Sequence, residues 1–401
     1  MYLPYEERLK YARNNHRRQK LAKLIKLIKT KELAGRISIG TSCAFSYTPS
    51  MHRITSQEFR QLCISYIANI FLYSCALYIF HTNNYYTHFL TAQTKEALVT
   101  MFGIYIVLAL PLELLLPGSR RRLESKGLIA LRAFARYMRE GWQYLSRFPL
   151  QRTNSPGMTR QEKTAILFLI VKFYFLPIMI NFSFGNWLNV QYYWGQIGTF
   201  ADTSLRLLDG VFPFLMALFL LIDTCYFIFG YSVEYPAARN EVRSVEPTLF
   251  GWLIALACYP PLNGITDKYF IWTADNSAHL PTVEATYVMS ILALIFLFIY
   301  LWATLALGPR CSNLTNRGIV SWGPYAYVRH PAYIGKILGW WITSIPFFVG
   351  SGRLWEGMVA LLGWTTIYFF RALTEERHLM ADPAYMAYCK QVRWRFIPGV
   401  F

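Results

Sequence analysis

The chain is poor in acid and has no clustered cysteine. Against 40 Lys and Arg it sets 22 Asp and Glu, a net charge of +18, and only 15% of its 401 residues carry charge at all. Its seven cysteines stand singly, without a Cys-x-x-Cys pair or a Cys/His cluster at metal spacing, so neither a disulfide framework nor a structural zinc is expected. After the opening Met-Tyr-Leu-Pro the first fifty residues stay polar and basic, without the early apolar run of a cleavable secretory signal. There is no internal repeat and no low-complexity tract.

Apolar residues are abundant instead, at 54% hydrophobic and 17% aromatic, which excludes an ordinary soluble domain. Apolar runs recur near 61–80, 97–116, 164–184, 206–230, 248–263, 285–307, 335–350 and 355–373. Spans of about 17–25 residues cross a bilayer core, so an all-α polytopic membrane protein with about eight transmembrane helices is expected. The fifth and seventh runs are short, and Pro260-Pro261, followed by Asn263 and Gly264, is expected to break the fifth before it finishes crossing.

The basic residues sort by loop. Arg120, Arg121, Arg122, Lys126, Arg132, Arg136 and Arg139 crowd the loop after the second run, and Arg239, Arg243, Arg310, Arg317 and Arg329 lie in later alternate loops. The loops after the first and third runs carry almost none. Eight crossings with both termini cytoplasmic put every basic loop on one side, as the positive-inside rule requires. The positive charge then reads as affinity for anionic membrane lipids, and nucleic acid is not an expected partner.

Residues 1–60 form a basic cytoplasmic segment. In it Leu21, Leu24, Ile25 and Ile28 alternate with Lys20, Lys23, Lys26 and Lys31 at helical spacing, the pattern of a short amphipathic helix lying on a membrane surface. Residues 61–284 form a membrane region of unassigned role, a candidate substrate region. Glu113, Lys172, Asp209 and Asp223 fall in or at the ends of its apolar runs, where charge is costly unless paired or interfacial. Residues 285–401 read as one unit.

That last unit holds the densest chemistry. Arg329-His330-Pro331, Tyr333 and Gly335 open the seventh apolar run, and Arg371, Glu375 and Glu376 close the eighth. A helical pair needs no such groups merely to cross lipid. Pro331 suits the first position of a helix, so His330 caps it and its unpaired amides form a ready anion site. The hairpin returns to the side it left, which lets His330 meet Glu375 and Glu376. Asp382-Pro383 then reads as cap and first position of another helix bearing Tyr385 and Tyr388. A ligand with an anionic end and with hydroxyls or a cation fits between the two clusters, a description that several nucleotides and S-adenosylmethionine meet.

The segments RHPAYIG, RALTEERHL and AYMAYCKQVRWRFIPG resemble the membrane methyltransferases that include isoprenylcysteine carboxyl methyltransferase and the phospholipid N-methyltransferases. The resemblance covers roughly the last hundred residues. It implies S-adenosylmethionine as cofactor, with Arg329, His330, Pro331, Tyr333 and Gly335 as one half of its site and Arg371, Glu375 and Glu376 as the other. It further implies a lipidic or prenylated acceptor, methylated on oxygen or nitrogen, and names no catalytic residue and no metal. Without a readable eukaryotic targeting signal, a bacterial inner membrane is expected ahead of the endoplasmic reticulum.

Two alternatives stand beside this reading. Tyr388, Cys389, Val392, Arg395 and Pro398 fit the closing pattern of sterol reductase-like membrane oxidoreductases that use NADPH, although Ala332 and Lys336 stand where those proteins usually have asparagine and aspartate. A transporter or non-catalytic membrane protein would account for the intramembrane charges but not for the C-terminal constellation.

Overall fold

A computed structural model describes residues 54–118, 121–146, 157–235, 238–270 and 279–400. The expected amphipathic helix around Leu21 to Ile28 lies outside these residues, as does Arg120. Residues from Arg53 onward form one compact unit, so contacts run on across position 284.

Nearly all of it is helix. α1 (Ser56–Thr82) starts at a capping box in which the Thr55 hydroxyl accepts from the Glu58 amide at 3.2 Å while Glu58 accepts from the Thr55 amide at 2.9 Å. A one-and-a-half-turn helix, α2 (Asn84–Phe89), leads to α3 (Ala92–Leu115), capped by Thr91. α4 (Lys126–Ser146) occupies the basic stretch that the sequence suggests is loop. It is amphipathic and too polar to be a span: Leu128, Ala130 and Ala133 are buried, and Phe134, Met138 and Trp142 form an exposed apolar stripe apart from Arg132, Arg136 and Arg139. α5 (Arg160–Ile197) runs well past the C-terminal end of the expected apolar segment, starting from a second capping box at Thr159 and Glu162.

α6 (Phe212–Ser232) packs between α5 and α9 (Val283–Leu307). α10 (Pro331–Gly350) lies along α9, and α11 (Leu354–Leu379) packs on α10. The short α12 (Pro383–Gln391) begins as expected at Asp382, whose side chain accepts from the Ala384 amide at 3.0 Å. Two two-residue strands, β1 (Ser244–Val245) and β2 (Thr315–Asn316), pair antiparallel and tie the loop after α6 to the loop after α9.

Among the described residues seven helices, not eight, are long and apolar enough to span a membrane. The fifth expected span is two short helices, α7 (Leu249–Leu256) and α8 (Asn263–Tyr269), separated by Pro260-Pro261. Two successive prolines remove two amides from the helical ladder and crowd the preceding turn, and the helix ends here, whereas α3, α5 and α10 each run on through a single internal proline. The segment nonetheless runs along much of the length of α11. Glu246, just before α7, pairs with Arg377 at 2.7 Å near the C-terminal end of α11. Phe270, just after α8, accepts at 3.1 Å from the indole of Trp364, about 20 Å back along α11 at a rise of about 1.5 Å per residue.

The intramembrane charges of the first half are held individually. Asp223 of α6 is buried and accepts from the Tyr300 and Thr304 hydroxyls of α9, each at 2.6 Å, which pins two helices by a polar contact in an apolar layer. Asp209 stands 2.9 Å from His279, and Glu113 receives the amide of Arg122. The face of α3 at Val99, Ile106 and Val107 is exposed, as lipid-facing surface must be.

Candidate functional site

The chain turns at Gly323-Pro324 in a single 3-10 turn, with Gly323 at a φ of +62°, where a side chain would be strained. From it the chain enters α10 at Pro331, with His330 in the cap position and no side chain capping the first turn. Two backbone bonds fix this entry from outside: the Arg329 amide donates to the carbonyl of Trp394 and the His330 amide to that of Arg395, both at 3.0 Å. The C-terminal tail is thereby laid against the start of α10.

Glu376 is the hub of the arrangement. Only 3% exposed, it sits 3.1 Å from the Arg329 guanidinium, 3.3 Å from His330 Nε2 and 2.8 Å from Arg395 Nε. Arg329 also donates to the carbonyls of Val392 and Arg393, each at 2.9 Å. Three cationic or potentially cationic groups therefore share one carboxylate, and both of its oxygens are engaged.

Glu375 is different. It is exposed and accepts a 2.7 Å hydrogen bond from the Tyr333 hydroxyl. The Tyr333 ring lies parallel to His330, centroids 5.4 Å apart, and the tilted ring of Phe396 packs on His330 at the same separation. Arg371 is buried among the rings of Tyr259, Tyr333 and Tyr368 at 5.5–5.7 Å and donates to Asn313. Asn313 is itself held by Tyr259 at 3.1 Å and Tyr231 at 2.7 Å.

The hairpin thus brings Arg329, His330, Tyr333, Arg371, Glu375 and Glu376 together, as their spacing suggests. Pro331 and Gly335 contribute shape instead of donors. A Cβ at Gly335 would come within 2.6 Å of the Phe296 carbonyl and the Tyr300 amide, so this glycine sets how closely α10 approaches α9. Lys336, one residue on, points its ammonium at Tyr300, Trp340 and Tyr368, 5.0–5.8 Å from their ring centres.

Groups around the site are shifted by their surroundings. Burial, with Glu375 nearby, pushes the Tyr325 hydroxyl well above the usual tyrosine range. Burial alone would raise the Asp382 carboxyl, but hydrogen bonds from Asn316, the Ala384 amide and Arg243 hold it below the usual aspartate range.

Sequence reasoning missed Asn313, which lies in a polar loop with nothing local to mark it. Arg395 was visible as part of the closing Tyr-Cys-x-x-Val-x-x-Arg-x-x-Pro pattern. Its bond to Glu376 ties that pattern to the same carboxylate as Arg329 and His330.

Seven apolar spans and a polar cluster at one end of a helical hairpin make this an integral membrane protein with a built site. Residues 285–382 match the family model described as phospholipid methyltransferase, which makes that stretch a methyltransferase-family domain. A comparison with curated proteins gave no match.

Proposed function

We propose that this protein transfers a methyl group from S-adenosylmethionine to a lipid or lipid-modified acceptor that reaches the site from the bilayer. The observation that carries the reading is the pairing of Tyr333 with Glu375 beside the uncapped start of α10, within the matched domain. The residues fit the cofactor: the first amides of α10 suit its carboxylate, Glu375 suits its ribose hydroxyls or amino group, and the His330 and Tyr333 rings offer an apolar wall. Glu376 is assigned a positioning role, because Arg329, His330 and Arg395 already use its oxygens.

S-adenosylmethionine, when bound, supplies a methyl on a sulfonium, the carbon–sulfur bond breaking as a bond to the acceptor oxygen or nitrogen forms. The protein's share is alignment and exclusion of water. A carboxylate acceptor needs no base, whereas an amine acceptor gives up its proton before or during transfer. Exposed apolar residues on α10 and α11, among them Leu338, Val359, Leu362 and Phe370, suit lateral entry of a lipid.

The test is incubation of purified protein with methyl-tritiated S-adenosylmethionine and a total membrane lipid extract, with calorimetric titration of S-adenosylmethionine and of NADPH in parallel. Binding of the first, with label in the organic phase, is expected. Absence of S-adenosylmethionine binding overturns the proposal, and NADPH binding in its place would favour a reductase.

A further inference from the structure

A cavity of about 1530 Å³ lies in the half of the membrane unit that the matched domain does not cover, between α1, α3, α4 and α5. It exceeds the roughly 300–1,000 Å³ usual for small-molecule sites. Along α1 it runs from Leu62 to Phe80, about 27 Å at the helical rise, close to the apolar thickness of a bilayer.

Its lining changes character along that length. At one end Ser65, Asn69 and Ser125 are joined by hydrogen bonds, and Asn69 donates to Tyr105 at 2.9 Å. At the other end the walls are apolar, with Ala76, Phe80, Leu98, Met101 and Leu176. Lys172 of α5 stands where the two meet. Its ammonium donates to the Tyr73 hydroxyl at 3.1 Å and the Ser232 carbonyl at 3.2 Å, and lies 5.0 Å from the Tyr73 ring centre.

The charges around the cavity are unequal in their partners. Glu234 is paired with Lys126, Glu241 with Arg122, and Glu124 with Arg132. Lys172 has no carboxylate within ion-pair distance among the described residues, and one of its three donors is not used by the protein. An ammonium inside a membrane layer is expensive unless it meets an anion. An amphiphile would supply both needs, an anionic oxygen for Lys172 and a hydrocarbon chain for the apolar end.

We propose that this cavity binds a membrane amphiphile of net negative charge, whose carboxylate or phosphate monoester is held by Lys172. The site is separate from the Arg329–Glu376 cluster and does not rest on the methyltransferase reading.

The experiment uses full-length protein in phosphatidylcholine bilayers, doped in separate arms with diazirine-bearing palmitate, phosphatidic acid or phosphatidylcholine, and cross-linked by light. Label from palmitate or phosphatidic acid is expected on the α1, α3 and α5 peptides that line the cavity, and whichever arm labels identifies the headgroup. Lys172→Gln should lower that labelling about tenfold, the worth of a charge-assisted hydrogen bond, while Lys172→Arg retains it. Met101→Trp, which fills the apolar end, should lower it too and serves if Lys172→Gln does not fold. Equal labelling of these peptides by phosphatidylcholine, or labelling unchanged in Lys172→Gln or, should that not fold, in Met101→Trp, would overturn the proposal. So would label confined to outward residues such as Ile67 and Phe71.

Discussion

Arg329 and Glu376 are paired at 3.1 Å in a place where both are nearly shut off from solvent, at 11% and 5% side-chain exposure. Removing one member of a buried pair leaves the other charge uncompensated, which costs more than the pair itself contributes. Here the carboxylate serves Arg329, His330 and Arg395 at once.

Glu376→Gln should therefore destabilise the protein by about 3 kcal/mol. Thermal unfolding in detergent would show it as a lowered midpoint, with limited proteolysis exposing the chain after Gln391. A midpoint equal to that of the wild type would mean that the cluster contributes little to holding the tail.

Glu375 and Tyr333 should behave in the opposite way. Their bond is at an exposed carboxylate, so Tyr333→Phe and Glu375→Gln should each change stability by less than about 1 kcal/mol. If Glu375 meets the cofactor, Glu375→Gln should weaken S-adenosylmethionine binding about tenfold by calorimetry, the scale of one charge-assisted hydrogen bond. Unchanged affinity in a folded variant would remove Glu375 from the site.

The pH response follows from two carboxylates outside the spans. Asp382 and Glu234 are each raised by burial, yet both end below their ordinary values, Asp382 through Asn316, Ala384 and Arg243 and Glu234 chiefly through Lys126. A depressed carboxyl stabilises the fold above its unfolded value, about 4, and that share is lost as pH falls through the lower folded value. Asp382→Asn should begin less stable at neutral pH but lose less on acidification below about pH 4. Melting midpoints for both proteins across that range would decide it; parallel curves would contradict the assignment.

Sidedness can be read chemically. In a cysteine-free background, a cysteine at Asn83, at the C-terminal end of α1, and one at Glu124, which accepts from Gln61 near the start of α1, should label with a membrane-impermeant maleimide from opposite faces. Labelling of both from one face would break the alternation on which the basic loops are sorted.

Local signals in the sequence carried a good deal of this. Pro331 and Asp382-Pro383 mark helix starts because proline fixes φ and needs no amide partner, and both helices begin there. Pro260-Pro261 likewise marks the interrupted crossing. The sites of α4 and of Asn313 were less legible. In α4 the arginines dominate the composition and hide a periodic apolar stripe that a window of 11–18 residues would have exposed. Asn313 matters through Arg371, Tyr231 and Tyr259, which come from three different helices or loops, and such a meeting leaves no mark on the chain near position 313. The paired strands β1 and β2 are two residues each, too short for alternation to register.

Four of the bonds that hold the tail go to its main chain: the side chain of Arg329 reaches the carbonyls of Val392 and Arg393, and the amides of Arg329 and His330 reach those of Trp394 and Arg395. A carbonyl is the same whatever residue bears it. Positions 393 and 394 are thus open to exchange of side chains, while insertion or deletion of a single residue between Gln391 and Arg395 would slip every bond by one step and carry Arg395 away from Glu376. The stretch is constrained in length far more tightly than in composition.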